Sequence, residues 1–436
     1  MSLDIFRASP SVSMQSNISL DSDDDSDLLS VHSHSVSSFP GSHSSATSYN
    51  VSMRSASPAP SVYSITSSLR AQSFRHEFGR GLNNYSDIYR LPADDEEFDR
   101  LGAVDLVPLA SLTNRHARAD KQHIMFMDIM GKYPPPLAEI MADDTPGETK
   151  NCLDLGCGSG SWWGRIFLFD MSDSDRAVLP RIMDVARDFP NCQAVAVDLV
   201  PMQAKSVQQL DFHLRVFDDV PTELSDMPDN LRSEVDDINL GLQHFYGDFN
   251  VVHARLISSG IRDYHALIHQ ISQALRPGGL IDLMEFDFRV YDAQHNVISP
   301  FLDTAEGSWL SRWMYSLGVA VRQRGGTTDA SNVLYAWVME HPALEDVVYR
   351  DFYLQTSPFF SRHEPNYARN QTIGHYMRDD ILVCIPQVRP PLLLGSQLTE
   401  AEVNELELHA STELAEARKR TYIRIENVYA RKAPNP

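Results

Sequence analysis

Asn151-Cys-Leu-Asp-Leu-Gly-Cys-Gly-Ser-Gly-Ser161 is the stretch on which the reading of the whole chain turns. Cys152, Leu153 and Leu155 form a short apolar run that reads as the end of a buried strand. Gly156, Gly158 and Gly160 follow at alternate positions. Glycines there permit a tight turn and a close approach of backbone to a ligand. Trp162 and Trp163 open the next expected helix, whose first N–H groups would face the same ligand. A glycine-rich strand-to-helix turn is shared by many nucleotide-binding α/β folds. The dinucleotide fingerprint Gly-x-Gly-x-x-Gly fails here, because Ser161 or Trp163 stands where its third glycine belongs. An acid, Asp154, sits two positions before the first glycine.

Outward from this turn, strands and helices alternate. Arg181 to Phe189 has helical spacing, and Gln193-Ala-Val-Ala-Val-Asp198 reads as a second strand ending in an acid. An acid there suits a ribose, although its separation from Gly160 is well beyond the roughly 20 residues usual for that geometry. An insertion at Gly164 to Leu179 accounts for the excess, and a second insertion-like stretch, Ala204 to Met227, precedes the third strand. A third strand is expected at Asn230 to Asp237, a fourth at Phe249 to Arg255, and a helix at Asp263 to Leu275. Arg276-Pro-Gly-Gly279 reads as a turn into a fifth strand, Leu280 to Phe286. Helices follow at Asp303 to Arg324 and Asp329 to His341, then a strand at Leu344 to Leu354. Ser357 to Leu394 reads as irregular, part of a lid-like region at about 356–400. A helix at Glu400 to Lys419 and an alternating strand at Thr421 to Ala430 close the chain. This alternation calls for a mostly parallel sheet covered on both faces.

Residues 1–84 are serine-rich and poor in large apolar side chains, which predicts a disordered arm. Ser57-Pro58 suits proline-directed phosphorylation, or is simply part of a solvated linker. Residues 85–436 are expected to form one domain with an N-terminal helical extension starting near Pro92. The net charge of −22 argues against direct nucleic-acid binding and against an anionic membrane surface. Four cysteines without Cys-x-x-Cys spacing suggest no zinc site and no disulfide framework. With no signal pattern and no membrane-spanning run, an intracellular location is expected, in nucleus or cytoplasm.

The motif acid-x-Gly-x-Gly-x-Gly and the segment Leu275-Arg-Pro-Gly-Gly-Leu280 resemble class I methyltransferases that use S-adenosylmethionine. The match widens to Leu91-Pro-Ala-Asp-Asp-Glu-Glu97, Val197-Asp-Leu-Val-Pro-Met-Gln203, Val235-Asp-Asp-Ile238, Val252-His-Ala-Arg255 and Ile281-Asp-Leu-Met-Glu-Phe-Asp287. Together these are similar to the fungal LaeA-like methyltransferases, regulators of secondary metabolism and development. The resemblance implies a Rossmann-like three-layer sandwich whose seven-stranded sheet has an antiparallel last strand. It also implies S-adenosylmethionine as cofactor, Asp154 near the methionine moiety, Asp198 on the ribose and Asp237 beside the adenine. Gly156, Cys157, Gly158, Gly160, Leu199, Asp236 and His253 complete the expected cofactor-binding set.

Each of these residues also has a plainer reading. Asp154 either serves the cofactor or caps the turn, Asp198 could be a solvated loop acid, and one of the adjacent acids Asp236 and Asp237 could be simply solvated. Cys157 is better explained as a small residue that fits the turn than as a reactive thiol. His253 and Arg255 end the fourth strand, at the edge where such sheets bind ligands. His253 is a candidate proton acceptor or a buried structural histidine. Glu285 is either a second catalytic candidate, orienting substrate, or a partner for Arg255. Methyl transfer needs no catalytic triad and no metal, and none is expected. The methyl acceptor is not readable, because acceptor loops vary on a fixed scaffold. Regulatory protein partners are compatible with the resemblance. The competing reading is a regulatory binding protein on the same fold.

Overall fold

The computed structural model describes residues 74–77, 80–89, 121–142, 144, 146–157, 181–200, 228–302 and 307–434. The serine-rich arm up to residue 73, Gly158, Gly160, the Trp162–Trp163 helix start and both expected insertions lie outside the described residues. Described structure begins before the expected boundary at Tyr85. Strands β1 (Phe74–Glu77) and β2 (Arg80–Asn83) form an antiparallel pair. Asn83 fastens it to the chain beyond: its Oδ1 accepts from Ser86 N at 2.7 Å, and its Nδ2 donates to the Tyr89 carbonyl at 2.7 Å.

Two short helices, α1 (Lys121–Met130) and α2 (Pro136–Ile140), lead to the sheet. Its strands are β3 (Asn151–Leu155), β4 (Gln193–Asp198), β5 (Leu231–Val235), β6 (Phe249–Arg255), β7 (Leu275–Phe286), β8 (Leu344–Gln355) and β9 (Tyr422–Lys432). Their order is β5-β4-β3-β6-β7-β9-β8. The first five pair in parallel, and β9 lies antiparallel between β7 and β8. This is the expected seven-stranded α/β sheet with its antiparallel last strand. Strand order reverses between β3 and β6, the switch point at which open α/β sheets place ligands outside the carboxyl ends of their strands.

Parallel strands buried on both faces need apolar side chains in both alternating sets. Leu153, Leu155, Val252, Ile281 and Leu283 face α4 (Tyr264–Ala274) and α6 (Ala330–Met339). Cys152, Ala194, Ala196, Val251 and Leu280 face α2 and α3 (Arg181–Asp188). Asp263 starts α4 as its N-cap, accepting from Ala266 N at 2.8 Å. The expected turn Arg276–Gly279 is instead an irregularity inside β7, between the pairs Phe249–Leu275 and Val251–Leu280.

The stretch expected to be irregular is largely helical. It holds α7 (Tyr367–Gln387) and α8 (Arg389–Gly395). Ile373, Met377, Ile381 and Ile385 recur every fourth residue, so one stripe of α7 is apolar and buried. They pack with α5 (Trp309–Gln323), α9 (Glu400–Glu416) and residues Met284, Ile423 and Ile425 of the sheet. The prolines that suggested irregularity fall at helix boundaries. Pro386 lies in the last turn of α7, and Pro390 at the start of α8, where a missing N–H costs nothing. α9 begins with a reciprocal capping box between Thr399 and Glu402.

Because α7 is part of the core, Ile381→Ala should destabilise the protein by about 2–5 kcal/mol. A shift of the denaturation midpoint measures this; a midpoint equal to wild type would contradict the placement of α7 in the core.

Candidate functional site

The described residues that follow β3, β4, β5 and β6 are joined to one another at this edge of the sheet. Those after β3 are fixed by a shared acceptor: Gly156 N and Cys157 N both donate to the Val197 carbonyl, at 2.8 and 3.1 Å. Gly156 has φ +69, a left-handed conformation that disfavours a side chain. A Cβ there would overlap the Ile257 side chain from the loop after β6. The glycine is therefore required by packing between two loops, a reason its spacing did not reveal.

Acids line this edge. Asp154 is 8% exposed on β3. Asp198 ends β4, and its Oδ1 accepts from Val200 N at 3.3 Å; the neighbouring Leu199 is half-buried. Asp198 and Asp154 both act on Cys157, whose thiol is pushed well up by burial and then by these two negative charges. A thiol so disfavoured as thiolate is no nucleophile, in keeping with a turn-fitting role. After β5, Asp236 Oδ1 accepts from Asp237 N at 3.0 Å, and its Oδ2 lies 3.6 Å from His244 Nε2. Asp237 caps the turn Ile238–Leu240, its Oδ1 accepting from Asn239 N and Nδ2 at 3.0 and 2.8 Å. Asn239 passes the connection on, donating to the Gly260 carbonyl at 2.9 Å. Asn239 and Ile257 were not anticipated from sequence, since neither belongs to a chemical motif.

The two catalytic candidates are turned into the protein. His253 is 3% exposed, with Nδ1 2.9 Å from Asp282 Oδ2. Glu285 is fully buried and does not take Arg255 as its partner. Its Oε1 accepts from Ile257 N at 2.9 Å, Ser258 N at 3.1 Å and the Tyr264 hydroxyl at 3.0 Å. Arg255 instead stands over the Phe126 ring, 5.3 Å from its centroid. Glu285 thus holds the loop that carries Ile257 against Gly156. Burial raises its carboxyl to about 7 against the opposing hydrogen bonds. Among the described residues no group of three or more His, Cys, Asp or Glu side chains could hold a metal ion. No helix among them is long and apolar enough to cross a membrane.

An edge of carboxylate acceptors fits a ligand that donates hydrogen bonds or carries positive charge. S-adenosylmethionine does both, through its amino group, ribose hydroxyls and adenine amine.

A methyltransferase-domain family matches residues 122–325. The chain is 39% identical over 361 residues to the secondary metabolism regulator laeA of Coprinopsis cinerea, covering 82% of this chain and 74% of that protein. It is 28% identical over 283 residues to the methyltransferase pytC of Aspergillus terreus, covering 64% of each chain. Among solved structures, phosphoethanolamine N-methyltransferase 2 of Haemonchus contortus with S-adenosyl-L-methionine aligns with TM-score 0.35 and 16% identity. That alignment covers 73% of this chain and 58% of the other.

Two outcomes follow from the loop packing. Gly156→Ala should cost about 1–3 kcal/mol, combining backbone strain with overlap. Adding Ile257→Ala should remove the overlap, so a double-mutant cycle should show the two changes to be non-additive. For Glu285 the sign is set by a carboxyl harder to ionise folded than unfolded. Its stabilisation is complete below its unfolded value of about 4.3 and is lost as pH rises through about 7. Glu285→Gln should remove a loss on the order of 3 kcal/mol across that window. Denaturation midpoints of the two chains over pH 4 to 8 compare the slopes; parallel curves would contradict this.

Proposed function

Because the chain belongs to the LaeA-like methyltransferase family, we propose that it regulates secondary metabolism or development in a fungus by transferring methyl groups. It is a methyltransferase dependent on S-adenosylmethionine. The observation that carries the site reading is the run of acids at the ends of β3, β4 and β5 around one crevice. In this reading Asp154 accepts from the amino-acid end of the cofactor, Asp198 from the ribose, and Asp236 and Asp237 lie on the adenine side. Gly156 and Cys157 shape the turn, and Leu199 offers an apolar flank.

The bound cofactor supplies a methyl group already activated on a sulfonium, so the protein contributes orientation and a dry site. His253 and Glu285 are both committed to internal contacts, so the reaction rests on positioning rather than on a dedicated base. An acceptor whose nucleophile is already deprotonated, or loses its proton to water, suits such a site. The acceptor class, a protein or a small molecule, and any regulatory partner belong to the surfaces around this crevice. The four cysteines are all free, which suits a reducing location in nucleus or cytoplasm.

Calorimetric titration tests this reading. S-adenosylmethionine and S-adenosylhomocysteine should bind and NAD should not. Asp198→Ala should weaken both by about tenfold to a hundredfold, the value of a hydrogen bond to a charged group. Unchanged affinity would remove Asp198 from the site. Cofactor binding without methyl transfer to any component of the cell extract would favour the regulatory binding protein.

A further inference from the structure

Asn239 clips the turn after β5 to the loop after β6. Its Nδ2 donates to Asp237 Oδ1 at 2.8 Å and to the Gly260 carbonyl at 2.9 Å. Its Oδ1 accepts from Arg262 N at 3.0 Å. A side-chain amide has two N–H donors, and here one is spent on each side of the join. The Arg262 N–H fixes which end of the amide is the oxygen. Among the described residues, both bonds that the Asp237 carboxylate accepts fall on Oδ1, from Asn239 N at 3.0 Å and from Asn239 Nδ2. Rotating this carboxylate would break one or the other, so its second oxygen is held in one direction.

The far end of the clip is backed by the segment ahead of the sheet. A Cβ at Gly260 would lie 3.1 Å from Tyr89 Cδ2 and 3.3 Å from Tyr89 Cβ, so the tyrosine side chain rests on the glycine. Tyr89 is tied in turn to the hairpin. Its carbonyl accepts from Nδ2 of Asn83, a fully buried residue at the end of β2. At the start of β1, Phe74 packs on Val200, two residues beyond Asp198. The hairpin segment therefore bears both on the chain that follows Asp198 and on the loop that aims Asp237.

We propose that Asn239 and Tyr89 are positioning residues for adenine recognition: Tyr89 seats Gly260, and through Asn239 this fixes Asp237 with Oδ2 towards the adenine amine. This rests on the placement of adenine beside Asp237 made above. It brings the β1–β2 hairpin, ahead of the sheet, into ligand selection.

The test compares two ligands by calorimetry on the full chain. One is S-adenosylhomocysteine; the other is S-inosylhomocysteine, whose base has a carbonyl oxygen where adenine has its amine. A carboxylate accepts from the amine and repels the carbonyl. The wild-type chain should therefore prefer the former by about tenfold to a hundredfold. Asn239→Ala should shrink that preference by about fivefold or more, and Tyr89→Ala by about threefold or more. A general loss of stability lowers both affinities together and leaves their ratio, so the ratio separates positioning from folding. Tyr89→Phe keeps the atoms that rest on Gly260 and should keep the preference. Tyr89→Ala decides the matter if Asn239→Ala does not fold. An undiminished ratio in a folded variant overturns the proposal and leaves Asp237 in place. A wild-type chain that binds both ligands alike overturns the placement of adenine at Asp237, and the proposal with it.

Discussion

One carbonyl organises the centre of this molecule. The Val197 oxygen accepts from both Gly156 and Cys157, which folds the chain leaving β3 over the end of β4. That fold leaves residue 156 left-handed and its Cα against Ile257. Ile257 is held in turn by Glu285, through a carboxylate oxygen that also takes Ser258 N and the Tyr264 hydroxyl. The crevice is thus bounded by loops whose positions depend on one another. A change at β7 reaches the turn after β3 through two contacts, with no element needing to move far.

The frame of this arrangement was legible in sequence because its signals are local. β4 and β6 were read with their observed bounds, since buried parallel strands are near-continuous apolar runs. The N-cap of α4 was readable as Asp263 before an apolar-periodic segment. The α7 region failed for a specific reason. Its stripe Ile373, Met377, Ile381 and Ile385 carries the helical period, yet the surrounding prolines and aromatics dominated the reading. The acids at the edge were visible because they follow strands. What was not visible is anything set by pairing between distant segments: Asp282 beside His253, Asn427 on Asp282, and Asn239 joining two loops. Glu285 was located correctly at the end of a strand, but its partners are backbone groups of another loop, and nothing in a pattern of side chains announces those.

The antiparallel strands are tied together by a second set of charges, most of them buried or partly buried. Arg424 on β9 reaches Glu426 at 3.0 Å, the Tyr349 hydroxyl at 2.9 Å and Asp287 at 3.5 Å. Its Nε lies 3.7 Å from Asp351 on β8. These partners come from the end of β7, from β8 and from β9 itself, the three strands whose pairing is antiparallel. Burial lifts the Glu426 carboxyl to about 7, and Arg424 opposes that lift. A buried ion network contributes little net stability compared with apolar packing. Its value here is geometric: one guanidinium satisfies acids from three strands only when β9 sits between the other two.

Both sets of buried polar groups therefore serve placement. On one face of the sheet Asp154, His253 and Asp282 pair in a row across β3, β6 and β7, and on the other Glu285 and Glu426 stand opposite each other across β7 and β9. Sulfonium chemistry makes this division of labour workable. The leaving group needs no proton and the methyl group needs no activation by protein, so titratable side chains are released from acid–base duty. They can be buried, at a cost in desolvation, wherever fixing a loop matters more than reactivity. A hydrolase built on the same sheet could not bury its acid and base in this way, because both would have to reach the substrate. The burial of His253 and Glu285 is thus consistent with an enzyme whose rate depends on where its ligands are held.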